Sequence, residues 1–205
     1  CIDTIPMSPD GKPTPALLTK AALDSAKIPH FVINAGSKIS PDTSHFDSQL
    51  EFGKNISESP ALSPEKVSEA VEFGKIIGKS ICKPNECLVI GESIPGGTTT
   101  ALAVLKGFGI NTSVSSSMPN NPIEIKNQTV DNALKRLKSD DPINVISELG
   151  DPMIAVVAGI LSESSKITRV ILAGGTQMTA VLAFAKRIGY NKQNIAVGCT
   201  SYIID

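Results

Sequence analysis

The chain has 205 residues, 41% of them hydrophobic and 19% charged, with a formal net charge of -1 and both signs interspersed. That length suits one main domain with a sizeable core, and the charge balance excludes the basic face that a nucleic acid or an anionic membrane would require. No apolar run approaches the roughly 18 residues of a membrane span and no signal sequence opens the chain, so the expected setting is the cytoplasm.

In chain order, Pro15 to Ala26 reads as an amphipathic segment leading into the short apolar run Phe31-Val32-Ile33. Ser37 to Pro60 is rich in Ser, Asn and Pro without a period and reads as a long loop, a class often functional in compact domains. Ser63-Pro64-Glu65 then signs a helix start, with Ser63 as N-cap and Pro64 at the first helical position. Val67, Ala70, Val71, Phe73, Ile77 and Ile81 follow at helical spacing. Cys87 to Ile90 is the next strand. After a second loop, Ser113 to Pro122, helices are expected over Lys126 to Ser139, Pro142 to Leu149 and Met153 to Leu161. Val170 to Leu172 and Ile195 to Val197 read as strands flanking a helix from Thr176 to Ile188. The repeated strand-helix-strand unit predicts an α/β fold, a Rossmann-like, mostly parallel sheet with helices on both faces.

Two glycine-rich turns carry the chemistry. In GESIPGGTTTALAVL (Gly91 to Leu105), Gly91 and Gly96 stand where a P-loop has its two glycines and Thr98 where it has Ser or Thr, while Gly97 occupies the lysine position. Backbone N–H groups at such a turn, with the helix dipole behind them, attract an anion. Thr98, Thr99 and Thr100 add hydroxyl donors. Without the lysine a triphosphate is poorly compensated, whereas one phosphomonoester can be held, so the loop points to a phosphosugar or mononucleotide rather than to ATP hydrolysis. The alternative is structural: glycines that only permit tight packing and a threonine that only caps its helix. The second turn, ILAGGTQM, repeats the pattern with Gly174, Gly175, Thr176 and Gln177, and both turns belong at the carboxyl ends of parallel strands, where open α/β sheets bind ligands. Between them, Glu148 and Asp151 sit at helix ends, Asp151 as an N-cap before Pro152.

The four cysteines (Cys1, Cys82, Cys87, Cys199) are scattered and His30 and His45 are the only histidines, so neither a disulfide framework nor a zinc site reads from the spacing. With Trp absent and aromatics at 4%, no base-stacking platform for single strands is expected.

GESIPGGTTTA resembles the glycine-rich loop of the nicotinate-nucleotide:dimethylbenzimidazole phosphoribosyltransferases, and GDPMIAVVAG, ILAGGTQMTAVLA and VSSSMPNNPIEIK resemble the archaeal and cyanobacterial branch of that family. The resemblance implies a Rossmann-like fold, often a homodimer, that moves phosphoribose from nicotinate mononucleotide to a benzimidazole-type base in assembly of the cobalamin lower ligand, with no metal and no cofactor. It implies phosphate and ribose contacts from Gly91, Glu92, Ser93, Gly96, Gly97 and Thr98 to Thr100, with Glu92 toward the ribose. Gly174, Gly175, Thr176 and Gln177 join them from the second turn, and base contacts fall to Asp151 and Met153. The bacterial enzymes carry a glutamate where Met153 stands and an aspartate where Ala173 stands. The family's catalytic glutamate lies in a glycine-rich motif that falls beyond Asp205, so no catalytic base is named here and the chain is expected to be one domain lacking N- and C-terminal family segments. A phosphosugar- or nucleotide-binding module without turnover is the other reading.

Overall fold

The computed structural model describes residues 7, 11–116 and 120–201. Seven helices and five strands follow in chain order among them: α1 (Pro15–Ala26), β1 (Val32–Asn34), β2 (His45–Asp47), α2 (Pro64–Ile81), β3 (Cys87–Ile90), α3 (Gly97–Gly107), α4 (Ile123–Leu134), α5 (Pro142–Leu149), α6 (Pro152–Ile167), β4 (Arg169–Ala173), α7 (Thr176–Ile188) and β5 (Ile195–Gly198). β3, β4 and β5 form a parallel sheet with β4 in the middle, and β1 and β2 form a separate parallel pair. The protein is therefore α/β with parallel strands.

Helix α6 is the centre of the core. Its residues from Pro152 to Leu161 are buried without interruption, so it has no polar face to give to water, and it is packed by α2 on one side and α7 on another. At the α2–α6 crossing the backbones touch at glycines: a Cβ on Gly74 would overlap the Val156 carbonyl, and one on Gly78 would lie 2.6 Å from the Ile160 carbonyl oxygen. Ser63 caps α2 by accepting from the Lys66 N–H, as its position before Pro64 predicts.

Three expectations are revised. The loop over 37–60 contains β2, too short for alternation to reveal; it is tied to β1 where the Asn34 amide donates to Asp47. α4 begins at Ile123 and ends at Leu134, earlier at both ends than the expected Lys126 to Ser139. α6 runs on to Ile167, because Ser162 and Ser164 return their hydroxyls to the helix carbonyls of Gly159 and Ile160 and so satisfy themselves inside the core. In the sheet, Val170 and Leu172 of β4 are buried, while Cys87, Val89 and Ala196 on the opposite face are exposed. Of the second predicted loop, 113–122, residues 117–119 lie outside the described residues.

No helix among the described residues is long and apolar enough to cross a membrane. Nor does any group of three or more His, Cys, Asp or Glu among them have the placement to hold a metal ion.

Candidate functional site

Ile90 lies opposite Leu172 in the parallel β3–β4 pair, so the turns opening at Gly91 and Gly174 leave the same rim of the sheet. They also touch. Gly97 is buried, and a Cβ on it would lie 2.5 Å from Ile94 Cγ1 and 2.6 Å from Gln177 Nε2 of the second turn. Any side chain there would have to displace Ile94 and Gln177. The residue at the P-loop lysine position is spent on joining the two turns, and only its backbone N–H is left for a ligand. Gly96 caps α3 at φ 65°, a left-handed conformation that favours glycine, and offers no side-chain cap. Gly91 differs from both. Open space surrounds the position of its missing Cβ, so packing does not require a glycine there.

The three threonines open α3 half-buried. A helical threonine commonly returns its hydroxyl to the carbonyl four residues back, as Thr19 does to Pro15 and Thr179 to Gly175. Thr98, Thr99 and Thr100 do neither this nor capping, and their hydroxyls have no partner among the described residues. Replacing Thr98 with Val should therefore leave the urea midpoint unchanged. If the turn holds a phosphomonoester, ribose 5-phosphate affinity should fall roughly ten- to a hundredfold, the worth of one hydrogen bond to a charged group.

At the second turn Gly174 has φ 149° and donates its N–H to the Gly198 carbonyl at 2.8 Å, which ties the end of β4 to the end of β5. The Thr176 hydroxyl pairs with that of Ser115 at 2.9 Å. Ser115 in turn presents its carbonyl to Lys126 Nζ at 2.8 Å, and the same ammonium donates to Asn121 Oδ1 at 2.8 Å. Lys126 is 5% exposed and has no carboxylate partner among the described residues; burial holds its ammonium below the ordinary lysine range. A cation thus stands behind the second turn although the first has none. Sequence reasoning passed over Lys126, yet a signal existed: Lys126, Val130 and Ala133 occupy one buried stripe of α4 at helical spacing.

Two carboxyls face the opposite charge problem. Glu92, next to Gly91, has its Oε2 buried with no hydrogen-bond partner. Burial raises its pKa above the ordinary value, the Ile94 N–H offsets this in part, and the charge of Asp151 raises it further. Asp151 caps α6, accepting from the Met153 N–H at 2.8 Å, and is itself raised by burial against that bond. Gly53 closes over it: a Cβ there would sit 3.2 Å from Asp151 Oδ2. Ser93 is exposed, and Met153, 7% exposed, belongs to the core. Glu148 is engaged elsewhere, paired with Arg136 Nε at 3.5 Å, while that guanidinium also holds the Ile56 and Ser59 carbonyls.

Since both raised carboxyls bind protons more tightly folded than unfolded, stability falls as pH rises from their ordinary values, 4.5 for Glu92 and 3.8 for Asp151, through the raised ones. Glu92→Gln keeps the shape and removes one charge. Its melting temperature should exceed wild type by about 2–4 °C at neutral pH and converge with it under acid conditions where Glu92 is protonated in both states, as pH-dependent melts would show.

A family model described as a phosphoribosyltransferase matches residues 22–201. The chain belongs to that family. It is 50% identical over 202 residues to a UPF0284 protein of Archaeoglobus fulgidus, covering 98% of the chain and 59% of that relative. It is 44% identical over 208 residues to one of Saccharolobus solfataricus, covering 100% and 58%. It thus spans less than two thirds of the length of these curated relatives. Among solved structures, CobT from Thermus thermophilus superposes with a TM-score of 0.74 at 22% identity, over 87% of this chain and 57% of that one. A phosphoribosyltransferase for nicotinate nucleotide and dimethylbenzimidazole from the same organism does so with 0.70 at 21%, over 87% and 56%. These two likenesses carry the fold of the CobT type.

Proposed function

We propose that this phosphoribosyltransferase moves the 5-phosphoribosyl group of nicotinate mononucleotide to a benzimidazole-type base, the step that builds the lower ligand of cobalamin. One observation carries the reading: the two glycine-rich turns leave neighbouring parallel strands and meet at Gly97 and Gln177, making one site of two motifs. Its two poles match the substrate. Unpartnered threonine hydroxyls, the α3 start and the Lys126 ammonium suit a phosphomonoester, and the uncompensated carboxyls of Glu92 and Asp151 suit the positive end.

In the reaction the bond from ribose C1′ to the nicotinate nitrogen breaks with its electron pair leaving on nicotinate. The departing ring is already a pyridinium, so it needs no proton. Positive charge develops on C1′ and the ribose oxygen, and two carboxylates held in a poorly solvated place stabilise it there without reorganising. The base nitrogen then closes the new C1′–N bond, and the N–H proton of the benzimidazole is released to a general base. Positioning provides the remainder.

The test is incubation of the full-length protein with nicotinate mononucleotide and dimethylbenzimidazole, with free nicotinate and the α-ribotide measured by chromatography. Release of nicotinate only when both substrates are present is expected. Binding without turnover would leave a phosphosugar-binding module instead. In melts of the same protein, ribose 5-phosphate or the mononucleotide should stabilise it and Mg-ATP should do no better, because Gly97 stands at the lysine position of the loop.

A further inference from the structure

The segment from Gly53 to Leu62 has neither helix nor strand, yet it closes on the carboxyl side of the site. At its start Gly53 lies against the cap of α6: an added Cβ would stand 3.2 Å from both Asp151 Oδ2 and Pro152 Cδ. The mouth of the loop is drawn shut by the Lys54 N–H, which donates to the Ala61 carbonyl at 3.0 Å. Its far end is tied to α5, where the Leu62 N–H donates to the Ser147 carbonyl at 3.0 Å and the Ser147 hydroxyl donates to the Leu62 carbonyl at 2.7 Å.

Between these ties the tip of the loop is held by Arg136. Its Nη2 donates to the Ile56 carbonyl at 2.5 Å and to the Ser59 carbonyl at 3.1 Å, while its Nε faces Glu148 Oε2 at 3.5 Å, both of these last atoms being enclosed from solvent. A rigid guanidinium fork suits that set of partners, and a lysine ammonium on its flexible stem does not. The carboxylate gives the contact a second effect. Glu148 and Asp151 flank the α5–α6 junction at Gly150, so without Arg136 an unbalanced, enclosed charge would stand in the segment that delivers the cap.

We propose that Arg136 is a positioning residue for Asp151: by stapling the tip of the loop to the end of α5 it keeps Gly53 closed over the carboxyl and water away from it. What Asp151 then does for a substrate rests on the phosphoribosyl reading, and the staple itself does not.

Asp151→Asn in the full-length protein is the probe, because asparagine still caps the helix but carries no charge. With the carboxyl closed in, this variant should melt about 2–4 °C above its parent at neutral pH. The two should converge under acid conditions where Asp151 is protonated folded and unfolded, since burial raises its pKa. Glu92, the carboxyl coupled to Asp151, is the same in every protein compared. In an Arg136→Met background the loop opens and Asp151 is hydrated, so this pH-dependent gain should shrink about threefold or more. Hydrogen exchange at the Lys54 and Leu62 amides should quicken about tenfold or more. An arginine that only supports the fold would lower the melting temperature and speed exchange, yet leave the gain and its pH course as they are. That outcome overturns the proposal, as does unchanged exchange in the loop. Should Arg136→Met not fold, Arg136→Lys, which keeps a charge beside Glu148 but loses the fork, decides by the same comparison. Failure of the phosphoribosyl reading looks different: the gain would still depend on Arg136, and the wild type would release no nicotinate from the mononucleotide.

Discussion

Replacing Gly159 with Ala should cost about 3 kcal/mol of stability, the upper end of the range for overpacking, and lower the melting temperature by roughly 6–12 °C. Helix propensity alone argues the other way, since Ala is favoured over Gly in a helix interior by about 1 kcal/mol. Sterics win because the obstacle is backbone. A Cβ on Gly159 would overlap the Val71 carbonyl oxygen and stand 3.0 Å from Val71 C and 3.1 Å from Gly74 Cα, and none of these can rotate away as a side-chain end could. The helices would have to part. α6 carries the capping Asp151 at its start, so their separation should also move the carboxyl pair and weaken mononucleotide binding. Gly189→Ala is a useful control: the position has open space around it, and only its positive φ is strained. Paired thermal and urea melts check this, and a Gly159→Ala protein as stable as wild type would show that α2 and α6 are not in backbone contact.

That crossing shows what the sequence did and did not reveal. Gly74, Gly78 and Gly159 look like tolerated helical glycines, because pattern reasoning weighs a residue by its own helix and not by the one laid across it. α2 was legible for the opposite reason, its Ser63-Pro64 start and apolar stripe being local signals. The adjacency of the two glycine turns followed from topology, since parallel strands joined by helices must present their carboxyl ends to one rim. The roles within the turns did not. Gly97 was readable as a missing lysine, but the reason for its absence, Gln177 pressed against it, lies 80 positions along the chain. Glu92 and Asp151 likewise come together only in the fold, and each alone has an ordinary explanation, a solvated carboxylate and a helix cap. Lys126 fell between the two cases. It stands in the buried stripe of α4, but a helical lysine ordinarily lies on the wet face, and spacing alone does not separate the two.

Lys126 carries the other large expectation. Its ammonium is buried on neutral acceptors, the Ser115 carbonyl and Asn121 Oδ1, and no carboxylate balances it among the described residues. Burying a cation without an anion is costly, and a phosphate arriving at the turn opened by Thr176, whose hydroxyl is tied to Ser115, would supply the missing charge. Lys126→Met preserves the stem and removes the charge. Affinity for ribose 5-phosphate and for nicotinate mononucleotide should fall about ten- to a hundredfold, as expected for a charged hydrogen bond. Folding stability should change far less, because the ammonium's own burial cost disappears together with its two hydrogen bonds. The sign of the pKa shift adds a second readout. With its ammonium held below the ordinary 10.5, the folded state releases that proton more readily than the unfolded chain, so stability is penalised below the lowered value and recovers as pH rises through it. Phosphate binding should move against this trend, weakening in alkaline solution as Lys126 loses its proton, and Lys126→Met should flatten that alkaline limb. Titrations of ribose 5-phosphate against both proteins from neutral to alkaline pH measure each point, and equal affinities with parallel pH profiles would remove Lys126 from the phosphate pole.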